Sequence, residues 1–226
     1  MLAEVRLPGW ASGQRVLSVG GQTNRPVDDV GLVTESGGWV TIQAKKGMRL
    51  GSKAGSPLAE ALRQLVEIDQ VGVPDGASEL LRPLDADRDL VLILSDDSAP
   101  LRVNAHMAPL TNRLRMLPAT VPLADAAPNG DEEKALGLLK DHLGKAWSDR
   151  WGRAMTEADF RRLIGVLSVR ALRIADDAED YLTVQVMLRE LAGEATTSLT
   201  LWNALKLQGQ RLAEERMQNG ISRRCR

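Results

Sequence analysis

The sequence predicts an α/β fold: a mixed sheet flanked by helices, followed by a mainly helical C-terminal part. Three observations predict it. Apolar runs of strand length fall near 15–19, 28–34, 39–45 and 90–94. A helix-spaced stripe of Leu58, Leu62, Leu65 and Val66 separates the third run from the fourth. Beyond Pro118, Pro122, Pro128 and Gly130 the apolar residues take helical spacing almost throughout. These breaks divide the chain into a domain at 1–117, a linker at 118–131 and a helical domain at 132–226.

The elements follow in order. Arg-Val-Leu-Ser-Val at 15–19 reads as a first strand, and Gly20 to Pro26 as a polar loop. The runs at 28–34 and 39–45 are almost continuously apolar, which suits strands buried on both faces. Ser36, Gly37 and Gly38 turn one into the other. Ser56-Pro57 opens a helix, since serine caps free N–H groups and proline fits the first helical position. It runs to about residue 71. Leu90-Val91-Leu92-Ile93-Leu94 is a buried strand, and a helix follows near 102–116. Further helices are expected from about 131 to Trp147, from Thr156 to about Arg173, at 178–192 and at 195–218. Thr156 with Asp159 three residues on is a start signal.

With 226 residues and 43% hydrophobic content, the chain can bury a sizeable core. No run of eighteen apolar residues occurs, so no membrane span is expected. The start lacks the basic and apolar blocks of a secretory signal. The single cysteine, Cys225, excludes an internal disulfide. A cytoplasmic location is the expectation. Net charge is −1, which argues against DNA binding through bulk charge alone. The basic residues are unevenly placed: Lys45, Lys46, Arg49 and Lys53 crowd one short segment. Such a strip is either a solvated surface or a phosphate contact.

The chemistry concentrates at 25–47. Asp28 and Asp29 enter one strand of the hairpin, and Gln43, Ala44 and Lys45 leave the other. Strand alternation puts Gln43 and Lys45 on one face and turns Asp28 away from Asp29. Oxygen ligands with a lysine beside them suit a hard Mg²⁺ ion and a phosphate. The blander account makes Asp29 a loop cap or a partner of Arg25, and Gln43 a hydrogen-bonding residue of the hairpin. Asp96 and Asp97 end the strand at 90–94, where α/β sites often lie, although such pairs more often only terminate a strand. His106 and His142 lack ligand spacing. Trp147, Trp151 and Trp202 lie in helical stretches and read as core.

On Asp29 and Gln43-Ala44-Lys45, in their strand–turn–strand setting, the chain resembles the PD-(D/E)xK nuclease superfamily. That superfamily has the restriction-endonuclease-like fold. The resemblance is to the variant with glutamine in place of the second acid, as in Mrr-like restriction enzymes and anti-phage effector nucleases. It covers roughly the first half of the chain. It implies metal-dependent cleavage of double-stranded DNA with Mg²⁺ or Mn²⁺. Asp29, Gln43 and Lys45 are then the catalytic residues. Asp29, Gln43 and the Ala44 carbonyl hold the metal, and Asp28 is an outer partner. Lys46, Arg49 and Lys53 would contact DNA phosphates. The helical half resembles segments that follow nuclease modules in defence ATPases, so an ATPase or other defence subunit joins DNA and a second copy of the chain as expected partners. No Gly-x-x-x-x-Gly-Lys-Ser/Thr motif occurs, so the chain itself is not expected to hydrolyse ATP.

A second reading keeps the fold without the chemistry. The module would then bind DNA or protein as a regulatory subunit. The neutral Gln43 favours it, as does the stretch before the first strand. Family members carry a helix there, and here Pro8 and Gly9 interrupt it.

Overall fold

Antiparallel and parallel pairing meet at one strand, and that junction organises the molecule. The computed structural model describes residues 13–21, 30–45, 47–75, 80–96, 102–173 and 179–192, with scattered positions at 7, 99–100, 197, 199–200, 203–204 and 206–207. Asp28, Asp29, Lys46 and Asp97 lie outside the described residues. Chain contacts define one unit over Glu4–Leu172 and a second made of Met1–Ala3 with Arg173–Arg226.

In the first unit, β1 (Val16–Gly21), β2 (Val30–Thr34) and β3 (Trp39–Lys45) form an antiparallel meander. Glycine makes the β2–β3 turn. Gly37 takes φ 72°, and a Cβ on Gly38 would collide with the Arg88 carbonyl oxygen. After α1 (Pro57–Val71) comes a two-residue ladder of β4 (Val73–Pro74) with β5 (Leu81–Arg82). Then β6 (Leu90–Ser95) pairs parallel to β3. A π-helical turn at Val103–Met107 runs into α2 (Ala108–Met116). α3 (Gly130–Trp151), α4 (Glu157–Gly165) and β7 (Leu167–Ala171) complete the unit. The result is a mixed five-stranded sheet in the order β1-β2-β3-β6-β7. No described helix is long and apolar enough to cross a membrane.

Two buried clusters lie on the two sides of the sheet. Val91 and Ile93 of β6, with Leu167 and Val169 of β7, share a core with apolar residues of α1 to α4. Leu90 and Leu92 point the other way, with Leu32 and Val40. Alternation and register therefore put Thr41, Gln43 and Lys45, opposite Val91, Ile93 and Ser95, on the helix-covered face.

The helices start where their caps dictate. Ser56 Oγ accepts from Ala59 N–H at 3.2 Å with Pro57 at the first helical position. Thr156 and Asp159 form a capping box, and Asp159 also pairs with Arg153 at 2.8 Å. Thr156→Ala is expected to cost about 1 kcal/mol in urea unfolding at pH 7. The Arg153 hydrogen bond, helped by the Thr156 donors, holds the Asp159 carboxyl far below the usual carboxylate range. A lowered native pKa stabilises the fold above the unfolded value of about 3.9, and the gain fades as pH falls below it. The stability difference between the native chain and Asp159→Asn should accordingly shrink below about pH 4. A difference that stayed constant from pH 7 to pH 3 would show that the pair contributes nothing as an ion pair.

Two expectations need correction. Residues 157–173 are not one helix. α4 ends at Gly165, and Leu167–Ala171 is a strand parallel to β6. Leu163, Val166 and Leu167 fit helical spacing, but Leu167, Val169 and Ala171 also alternate, and pairing on the edge of β6 decides between the two periods. Nor does 118–131 serve as a free linker. Leu123, Ala126 and Ala127 are buried, and Arg113 Nε donates to the Ala126 carbonyl at 2.8 Å. The boundary between units falls after Leu172 instead of at 118–131, so the stretch from 132 contributes two helices and a strand to the first unit. In the second unit, α5 (Glu179–Ala192) agrees with the helix expected at 178–192. Described positions between 199 and 207 are helical, and the rest of the segment expected at 195–218 lies outside the described residues.

Candidate active site

β3 delivers its last three residues at the edge of the helical layer. Gln43 is 3% exposed, Ala44 is exposed on the opposite face, and Lys45 is half-buried on the same face as Gln43. The two-residue spacing thus does what the sequence led us to expect. Ala44 lies beside Leu94 in the parallel ladder, so its carbonyl is the one atom it could offer a cation.

α1 covers this row. Gln43 Nε2 donates to Gln64 Oε1, joining strand to helix. Gln43 Oε1 is shielded from solvent and accepts no hydrogen bond, and Thr41 Oγ1, two residues earlier on the same face, is also buried without a partner. An acceptor that has lost water and gained no donor costs about 1–3 kcal/mol, so a pair of them in one row calls for an explanation.

Glu60 lies one helical turn before Gln64, on the same side of α1. Its carboxylate takes Arg63 Nε at 3.0 Å and Arg63 Nη2 at 2.5 Å. These bonds hold the Glu60 pKa below its ordinary value, and the positive charge of Lys45 pulls the same way. Glu60 and Gln64 escaped the sequence reading. A glutamate in a first helical turn is ordinary, and only the phase set by the Ser56 cap, together with the β3 face, would have pointed to them.

The turn leaving β3 is held by the end of β6. Gly47 N–H donates to Asp96 Oδ1 and Met48 N–H to Ser95 Oγ, both at 2.9 Å. Asp96 thereby has a structural role. The loop beyond is anchored by His142, whose Nε2–H donates to the Gly51 carbonyl at 2.8 Å. Arg49 and Lys53 are exposed on it.

Comparison with protein-family models, curated proteins and solved structures finds no match to this chain. Among the described residues no group of three or more His, Cys, Asp or Glu side chains is placed to hold a metal ion. The oxygens on this row are the free amide oxygen of Gln43 and the amide oxygen of Gln64 that accepts the Gln43 Nε2–H, with the Glu60 carboxylate one helical turn earlier on α1. Oxygen donors of this type fit Mg²⁺ or Mn²⁺ and not a soft metal.

Other residues singled out by sequence have structural surroundings. Trp147 is buried as expected, with its ring centroid 5.5 Å from Trp151 and the Arg153 guanidinium 4.9 Å from its face, whereas Trp151 is exposed at the end of α3 and not core, and Trp202 lies outside the described residues. At the far end of β3 and β6, Asp89 is buried and bound by Arg82 through both carboxylate oxygens, at 2.5 and 2.7 Å. It also accepts the N–H groups of Trp39 and Asp85, each at 2.8 Å.

Proposed function

We propose that this chain is a metal-dependent endonuclease with a restriction-endonuclease-like site, hydrolysing phosphodiester bonds in double-stranded DNA with Mg²⁺ or Mn²⁺. The observation that carries the reading is the buried, unpartnered amide oxygen of Gln43, set two residues before a half-exposed lysine on the same strand face. A hard cation satisfies such an oxygen, and a lysine beside it suits a phosphate.

Gln43 Oε1 would hold the ion together with the carboxylates of Asp29 and Glu60, while Gln64 orients Gln43 by accepting its Nε2–H. The role given to Asp29 rests on the sequence pattern alone, in which an acid enters the strand that faces Gln43-Ala44-Lys45 across the hairpin. When bound, the ion supplies an activated water and neutralises charge on the scissile phosphate. The Lys45 ammonium donates to a phosphate oxygen or to the attacking hydroxide and stabilises charge that develops in the transition state. Arg49 and Lys53, exposed on the following loop, attract the DNA backbone. The setting of such an enzyme would be cytoplasmic defence or restriction, with an ATPase or other defence subunit as partner.

The test is incubation of the full chain with plasmid and Mg²⁺ or Mn²⁺, with Lys45→Ala alongside. Metal-dependent nicking absent from the variant supports the reading. Failure of the native chain to cut with either ion favours the second reading, a nuclease-fold module that binds DNA or protein without cutting. The Arg63 hold on Glu60 and the Gln43–Gln64 pairing favour that alternative, because both occupy potential ligands.

Gln43→Glu separates a metal site from a polar strut. It adds an anion at the orphan oxygen. Without divalent ions it should lower Tm, because a buried carboxylate lacks compensation. Added Mg²⁺ should restore Tm and bind at least about tenfold more tightly than to the native chain, through the added Coulomb attraction. A Tm loss that Mg²⁺ leaves unchanged would show that no ion binds at this residue.

A further inference from the structure

A concavity lies beyond the carboxyl ends of β3 and β6, and Gln43 is not among the residues that line it. It encloses about 480 Å³, the size of a small-ligand pocket. Arg49 enters it from the loop after β3, Arg102 and His106 from the π-helical turn, and Lys134 from the start of α3. Among the described residues Asp131 is the one acid in the lining, and Leu50 and Leu138 supply an apolar wall.

The charges do not balance. Among the described residues three fixed positive charges face one carboxylate, leaving a surplus of two. Asp131 is shared, at 3.5 Å from Lys134 Nζ and 3.8 Å from His106 Nε2. Arg49 and Arg102 have no carboxylate partner among the described residues. His106 Nδ1 is shielded from solvent and makes no hydrogen bond. Surface arginines are usually solvated singly. Here two of them share one hollow with a lysine and a partly exposed imidazole, and their common field attracts an anion.

We propose that this pocket binds the phosphomonoester group of a nucleotide, with the sugar or base against Leu50 and Leu138. The surplus of two charges suits a monoester, which carries about −1.5 to −2 at pH 7, better than a diester with one. Guanidinium groups are the donors suited to its oxygens. The monoester belongs either to a free mononucleotide or to the phosphorylated end of a DNA strand. The proposal rests on the pocket's own chemistry and does not require cleavage at Lys45.

The experiment measures binding by the full chain in EDTA, where the metal-dependent reaction is silent. Fluorescence anisotropy compares a short oligonucleotide with a 5′-phosphate, a 3′-phosphate or no terminal phosphate, and dAMP is titrated as competitor. A terminal phosphate at one end is expected to tighten binding about tenfold or more, as lost charge-assisted hydrogen bonds imply. Arg102→Ala should erase that difference, and Arg102→Lys should keep part of it. Competition by dAMP identifies the free nucleotide as a ligand. Its failure to compete, with the end preference present, identifies the strand end. Equal binding of all three oligonucleotides with no effect of dAMP would overturn the proposal, as would a phosphate preference that survives both Arg102→Ala and Lys134→Ala.

Discussion

Replacing Lys45 with alanine is expected to lower the rate of DNA cleavage by about 10²–10³ while DNA affinity changes only a few fold. The ammonium group sits at the end of β3, two residues beyond the unpartnered oxygen of Gln43 and close enough to influence the Glu60 carboxylate. In the proposed mechanism a charge there would meet the reacting phosphate most strongly when negative charge builds in the transition state. Its loss therefore appears in turnover more than in binding. Asp29→Ala should produce a comparable loss, because it removes the carboxylate proposed for the ion. Lys46→Ala should instead weaken binding modestly and reduce its salt dependence, as loss of a phosphate contact does. Single-turnover cleavage of a labelled duplex, beside an anisotropy titration, separates the two effects. Cleavage that persists in EDTA, or runs at full rate in Lys45→Ala, would rule the mechanism out. Lys45 is half-exposed at a strand end, so the variant should melt within a few degrees of the native chain.

The largest stability effect is expected at Asp89. Its carboxylate accepts four hydrogen bonds, two from the Arg82 guanidinium and two from backbone N–H groups. These bonds tie β5 to the starts of β3 and β6. Asp89→Ala strands a largely buried arginine and two N–H groups. Breaking a buried ion pair from one side costs about 3–5 kcal/mol, a large share of the 5–15 kcal/mol that holds a typical domain together. Arg82→Ala should cost a similar amount. The double change Arg82→Met with Asp89→Leu should recover part of the loss, because no charge then remains buried. Denaturant midpoints measure all three. A loss below about 1 kcal/mol for Asp89→Ala would mean that water replaces the carboxylate as partner of the guanidinium.

The parts of the fold legible in the sequence were those written in local patterns. The β2–β3 hairpin announced itself through two apolar runs around a Gly-Gly turn, and α1 through Ser56-Pro57 and its leucine stripe. The coarse α/β class with a mixed sheet followed from these. β7 was not legible, because Leu163, Val166 and Leu167 satisfy a helical period, and only the open edge of β6 selects the strand. Asp89 escaped for a different reason. In Asp-Ala-Asp-Arg-Asp at 85–89 it resembles its solvent-facing neighbours, and its burial is set by Arg82 and the Trp39 N–H, which no local pattern reveals. For the site, alternation correctly paired Gln43 with Lys45. Glu60 and Gln64 became visible only once α1 was seen to lie over β3.

The turn that follows Lys45 is fastened by Ser95 and Asp96, whose partners lie 47 and 49 residues earlier in the chain. During synthesis the hairpin and α1 leave the ribosome well before those two anchors do. Parallel pairing across so long an interval is among the slower steps of folding. A nascent chain halted before β6 would present the lysine on an unfastened turn. For an enzyme of the proposed kind, cutting power and the closed sheet would then arrive together, and no partly made chain would threaten the genome that encodes it.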